Sequence, residues 1–196
     1  MAHSSTDTAA DTGPVSFSAK ALAEYQQILA RYPERRAALM PVLWLVQREF
    51  GWISPSAQRY VAELMDLPQA WVEGVVSFYT MYWRRPMGRS HIAVCTNLSC
   101  YLRGAEEIYD AVCERTGVTA GEVSADGKWS VERAECLGSC DTAPMLQLNN
   151  DGYYEDLTVK DVLDLLDRLE RGETPPPTHS GKREAGPGAS AAKAKA

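Results

Sequence analysis

The 196-residue sequence has no long apolar run. Its longest, Ala37 to Val46, holds 10 residues and contains Pro41. A membrane-spanning helix needs about 20. A basic excess is also missing. The net charge is −6, whereas a nucleic-acid surface needs clustered Lys and Arg to displace counterions. The opening stretch Met1-Ala-His-Ser-Ser-Thr-Asp7 has no basic start followed by an apolar core, and it has acids but no Arg. It therefore reads as neither a secretory signal nor a mitochondrial transit peptide. No G-x-G-x-x-G and no G-x-x-x-x-G-K-S/T occurs, so nothing signals a phosphate-binding loop. C-x-x-C is absent, which argues against a catalytic dithiol. Only His91 lies near the cysteines, so the two-histidine ligand set of a Rieske centre is missing.

What is present is ordinary globular composition, 45% hydrophobic and 23% charged, with five cysteines. Residues 1–17 have no periodicity through most of their length and read as a disordered leader. Residues 174–196, a Pro/Ala/Gly/Lys stretch, read as a disordered tail. The tail is basic, carrying Lys182, Arg183, Lys193 and Lys195 against Glu184, so the rest is more acidic than the net charge suggests.

Residues 18–84 read as a small bundle of four helices. Ser18 caps the first, which carries Leu22, Tyr25, Ile28 and Leu29 on one stripe. Pro33 suits the first turn of the second, where Pro41 either bends the helix or marks its true start. Ser54-Pro55 opens the third. Leu67-Pro68 opens a fourth ending near Gly74. The periodicity changes across Arg84–Ser90. Residues 90–172 then read as strand (91–95), helix (103–116), strand (128–134), a hairpin around Asn149-Asn-Asp-Gly152, and a helix capped by Thr158. That order predicts a compact α/β domain of about 80 residues.

The cysteine spacing carries the chemistry. Cys95-Thr-Asn-Leu-Ser-Cys100 is a C-x4-C pair, and Cys136-Leu-Gly-Ser-Cys140 is a C-x3-C pair. Each pair follows a predicted strand, where a loop can fold round a metal group while the sheet fixes its position. Without a secretory signal, clustered thiols point to metal or redox chemistry. Four thiolates complete the coordination of two sulfide-bridged irons. Gly138 and Ser139 lack bulk and leave backbone N–H groups free to approach cluster sulfurs. A structural zinc site is the competing reading, although its usual loops include tighter C-x2-C knuckles. Unligated cysteines are a third. Cys113 stands apart, on the apolar stripe of the 103–116 helix, and reads as core packing. The aromatic run Ser77-Phe-Tyr-Thr-Met-Tyr-Trp83 reads as core or partner surface.

Together these residues resemble the thioredoxin-like [2Fe-2S] ferredoxins, and within them the E subunits of NADH–quinone oxidoreductase (respiratory complex I). Cys95, Cys100, Cys136 and Cys140 match that family's C-x4-C and C-x3-C pattern residue by residue. Glu49-Phe-Gly-Trp-Ile-Ser-Pro55, Glu73-Gly-Val-Val-Ser-Phe-Tyr79 and Ala143-Pro144 match as well, and the resemblance covers about residues 18–171. It implies a thioredoxin-like [2Fe-2S] domain behind a helical extension, with one [2Fe-2S] cluster on the four cysteines. It also implies single-electron exchange with the FMN of an NADH-oxidising flavoprotein subunit, and further iron-sulfur subunits as partners. FMN and NADH would be held by the partner alone. The same module serves NAD-linked hydrogenases and formate dehydrogenases. The implied location is a peripheral arm on the cytoplasmic side of a bacterial inner membrane. Phe78, Tyr79, Met81 and Trp83 are candidate contacts to the flavoprotein.

Overall fold

A computed structural model describes residues 15–178. The chain divides into two compact units between Met87 and Gly88.

The first unit is helical. Helix α1 (Ala19–Leu29) starts where the Ser18 hydroxyl accepts a hydrogen bond from the Ala21 N–H at 3.2 Å. It buries Ala21, Tyr25 and Ile28, spaced i, i+4, i+7, and leaves Leu22 exposed. Tyr25 and Ile28 are thus buried as the expected stripe has them and Leu29 packs against the core, while Ala21 takes the place of Leu22. A short 3-10 turn (Arg35–Ala38) leads into α2 (Leu39–Phe50). The helix therefore starts beyond Pro33. Pro41 lies in its first turn, where backbone N–H groups have no intrahelical partner and a proline loses nothing. Helix α3 (Pro55–Met65) is capped by Ser54, which accepts from the Ala57 N–H at 3.0 Å. Helix α4 (Gln69–Phe78) does not stop near Gly74. Val72 and Val76, four residues apart, are both buried and carry it a turn further.

Val42, Leu43, Val46, Ile53, Val61 and Met65 form the centre of this unit. The leader expectation fails at its C-terminal end. Val15 packs against the core, and Phe17 is buried, stacked on Phe50 and edge-on to Tyr60. Burying an aromatic ring outweighs the polar composition beside it. Residues 1–14 lie outside the described residues.

The second unit is a four-stranded sheet in the order β2-β1-β3-β4, from β1 (Ser90–Cys95), β2 (Trp129–Ala134), β3 (Leu146–Leu148) and β4 (Gly152–Tyr154). Strands β1 and β2 are parallel, and β3 and β4 join antiparallel. The helix expected over 103–116 is α6 (Ala105–Thr116), and a short helix that the sequence reading did not give, α5 (Leu98–Leu102), precedes it. Gly104 breaks them with φ +95°, a conformation costly for a residue with a Cβ. Helix α7 (Val159–Glu170) opens on a capping box between Thr158 and Asp161.

Ile92 and Val94 pair with Leu148 and Leu146, and these four share one core with Ile108, Val112, Val162 and Leu166 from α6 and α7. Cys113 is half-buried and packs against that core.

The tail expectation fails over residues 175–178. The Tyr154 hydroxyl donates to the Pro175 carbonyl at 2.6 Å, and the Thr178 N–H donates to the Tyr153 carbonyl at 2.9 Å. The Glu155 N–H donates to the Thr178 hydroxyl at 2.7 Å. Prolines do not prevent this docking, because their carbonyls and a neighbouring threonine supply the bonds. Residues 179–196 lie outside the described residues. Among the described residues no helix is long and apolar enough to cross a membrane.

Candidate metal centre

Sheet topology brings both cysteine pairs to one end of the second unit. Cys95 is the last residue of β1 and pairs in register with Ala134, the last residue of the parallel β2. Cys136 follows two residues later. Strand β3 runs antiparallel to β1, so its start lies at the same end. The 3-10 turn Cys140–Thr142 leads into it. The carboxyl ends of parallel strands in an open sheet are where such folds bind ligands.

Cys95 and Cys100 are buried, in a small apolar cluster with Ala105, Ala143 and Met145. Cys100 reaches it from α5, a helix whose first N–H is capped by the Asn97 side chain at 2.8 Å. The Cys95 N–H donates to the Met145 carbonyl at 3.2 Å, fixing the end of β1 against the approach to β3. Burial, a hydrogen bond between the two thiols, and the nearby Cys140 together push the Cys100 thiol up to about 12, against a backbone hydrogen bond at Met145 that lowers it. Cys95, Cys100 and Cys140 thus share one electrostatic neighbourhood.

Cys136 and Cys140 are exposed. Among the described residues no three His, Cys, Asp or Glu side chains are gathered tightly enough to hold a single metal ion. A two-iron cluster asks for something else: two thiolates on each iron, all soft donors. A buried pair and an exposed pair on facing loops suit that demand in ligand type and number.

The second loop is held from beneath. Gly138 turns it with φ +82°. The Ser139 hydroxyl donates to the Glu155 carboxylate, and the Thr142 hydroxyl donates to the same oxygen at 2.6 Å. The Asp156 N–H donates to the Thr142 carbonyl at 2.9 Å. Glu155 is a residue that sequence reading missed, since nothing in Tyr153-Tyr-Glu-Asp156 marks it out.

Each unit exposes apolar side chains of its own. Helix α5 exposes Leu98, Tyr101 and Leu102 beside the buried Cys100, three apolar side chains that a plain loop reading overlooks. In the first unit, Phe78 is 77% exposed and Tyr79 is exposed as well. Met81 and Trp83 are instead half-buried and tied down by the buried Gln47, which donates to the Met81 carbonyl at 3.0 Å and accepts from the Trp83 N–H at 2.7 Å. Of the aromatic run, Phe78 and Tyr79 are therefore its outward-facing members, and Tyr82 is core.

Residues 25–170 match the protein family described as thioredoxin-like [2Fe-2S] ferredoxin. NADH-quinone oxidoreductase subunit 2 of Thermus thermophilus is 45% identical over 150 residues, an overlap of 76% of this chain and 83% of that protein. The E subunit of the Rickettsia bellii NADH-quinone oxidoreductase is 40% identical over 157 residues, covering 79% and 93%. Among solved structures, a chain of the NAD+-reducing [NiFe]-hydrogenase in its air-oxidised state aligns with a TM-score of 0.58 at 19% identity. That alignment covers 70% of this chain, which spans 23% of the hydrogenase chain, and it speaks to the fold alone.

Proposed function

Because the chain belongs to the thioredoxin-like [2Fe-2S] ferredoxin family, we propose that it is an electron-transfer subunit of an NADH–quinone oxidoreductase, with Cys95, Cys100, Cys136 and Cys140 as ligands of one [2Fe-2S] cluster. The observation that carries this reading is the convergence of both cysteine loops on one sheet end, where β1, β2 and the start of β3 meet. When bound, the cluster supplies one-electron redox chemistry.

The chain's own residues divide the work. Cys95 and Cys100 anchor the site in an apolar wall that excludes water. Cys136 and Cys140 sit on the exposed side, which leaves a short path to a redox partner. NADH gives up a hydride, and a hydride needs a flavin or a similar acceptor. The sequence has no nucleotide phosphate loop. We therefore place FMN and NADH on a partner flavoprotein subunit, and the onward route in further iron-sulfur subunits. Leu98, Tyr101 and Leu102 beside the site, and Phe78 and Tyr79 on the helical unit, are the apolar surfaces offered to such partners. The peripheral arm of a complex on the cytoplasmic side of a bacterial inner membrane is the proposed setting.

The test compares the isolated chain with the reconstituted pair. Alone, the chain neither binds NADH nor oxidises it with ferricyanide. Mixed with the flavoprotein subunit, its iron becomes reducible by NADH, followed by electron paramagnetic resonance (EPR). NADH oxidation by the flavin-free chain would contradict the assignment.

A further inference from the structure

We propose that Glu155 is a positioning residue for the Cys136–Cys140 loop and sets the electrostatic environment of the metal centre; the second half of this inference rests on the ligand assignment above.

Glu155 is a buried acid, 8% exposed, on the segment that leaves β4. Acidic side chains are almost never this buried without partners that replace water. Two hydroxyls are among its partners here. Ser139 Oγ and Thr142 Oγ1 both donate to Glu155 Oε1. An oxygen carries two lone pairs, so one Glu155 oxygen accepts both donors, and the two hydroxyls replace water that burial removes. Both donors come from the stretch that carries Cys140, one on each side of it. Ser139 directly precedes that cysteine, and Thr142 closes its 3-10 turn.

The contact is cross-braced. The Thr142 carbonyl accepts from the Asp156 N–H at 2.9 Å, and the Pro144 carbonyl accepts from the Leu157 N–H at 3.1 Å. Residues 142–144 are therefore laced to residues 156–157 by backbone, while Glu155 reaches back to Ser139 by side chain. On its other side the Glu155 N–H is held by the Thr178 hydroxyl at 2.7 Å. One residue thus connects the docked 175–178 segment, the β4 exit and the exposed cysteine loop. Cys136 and Cys140 are exposed and have no apolar wall like that around Cys95 and Cys100. Hydrogen bonding to Glu155 supplies the order that burial supplies to the other pair.

Two consequences follow from charge and geometry. Loss of the carboxylate frees the loop. Loss of its charge alone makes the reduced, more negative centre easier to form, so the midpoint potential rises.

The experiment uses the full-length chain in its wild-type, Glu155→Gln, Glu155→Ala and Ser139→Ala forms. Hydrogen exchange on the iron-free chains reads the amides of residues 137–142. Potentiometry followed by EPR reads the iron-loaded chains. In Glu155→Ala these amides exchange about tenfold faster or more, the size expected when hydrogen bonds to a charged group are lost. Glu155→Gln keeps an acceptor, restores most of the protection, and still shows a raised midpoint potential. Ser139→Ala, which leaves Glu155 in place, gives a smaller loss of protection and serves if Glu155→Ala does not fold. Unchanged exchange in both alanine variants would overturn the positioning role, and an unchanged potential in Glu155→Gln would overturn the electrostatic one. Wild-type chain that binds no iron would instead refute the ligand assignment, leaving the exchange result to judge the loop.

Discussion

Cys95 and Cys100 meet thiol to thiol in a buried pocket, one from the end of β1 and the other from α5. The thiolate is the reactive form of cysteine, and a thiol pushed up to about 12 offers almost none near neutral pH. In the iron-free chain at pH 8, iodoacetamide should modify the exposed Cys136 and Cys140 first. Cys100 should react at least about tenfold more slowly. Peptide mass mapping over a time course checks the order.

The fifth cysteine separates packing from ligation. Cys113 lies half-buried on α6 against the sheet core. Cys113→Ala should keep its iron and lose only about 1 kcal/mol of stability, a common size for a single substitution. Cys136→Ala should lose iron or hold it weakly. Iron analysis and urea unfolding of both variants test the distinction.

Residues 175–178 act as part of the folded unit. A chain ending at Glu173 gives up the bonds that Pro175 and Thr178 make with Tyr153, Tyr154 and Glu155. Each such bond contributes about 1 kcal/mol net. Its melting temperature should fall about 5 °C or more below that of a chain ending at Thr178. Differential scanning calorimetry of the two truncations measures the difference.

Asp126 gives the α/β unit an acid-sensitive turn. Its carboxylate accepts from the Ser124 hydroxyl at 2.6 Å and the Lys128 N–H at 3.0 Å, and these bonds hold it down to about 2 from an ordinary 3.8. The ionised form favours the fold. Its contribution is complete above pH 3.8 and is lost as pH falls toward 2. Asp126→Asn should therefore flatten the stability profile between those two values. Unfolding midpoints followed by circular dichroism across that range check it.

Much of this architecture is legible in the sequence because local chemistry and tertiary packing agree. Ser18, Ser54 and Thr158 cap helices where a hydroxyl precedes an apolar period, and the two cysteine pairs lie at strand ends that alternate or run apolar. The parts that are not legible depend on distant partners. Gly74 reads as a helix end, yet Val76 finds a buried place beyond it and the helix continues. Leu98-Ser-Cys-Tyr-Leu102 is too short to show a helical period, so α5 reads as loop until Gly104 is seen at positive φ. Thr174-Pro-Pro-Pro has the composition of a solvated tail, and Tyr153, Tyr154 and Glu155, some twenty residues earlier, hold its continuation down. Glu155 itself looks like any surface acid, because its role depends on hydroxyls thirteen and sixteen residues away.

The central claim is that four particular cysteines hold one two-iron centre. Its most direct measurement is iron and acid-labile sulfide analysis of anaerobically purified full-length chain, with EPR after chemical reduction. The account predicts about two irons and two sulfides per chain and a spin-half signal at low temperature. A colourless protein with stoichiometric zinc and no iron would contradict it.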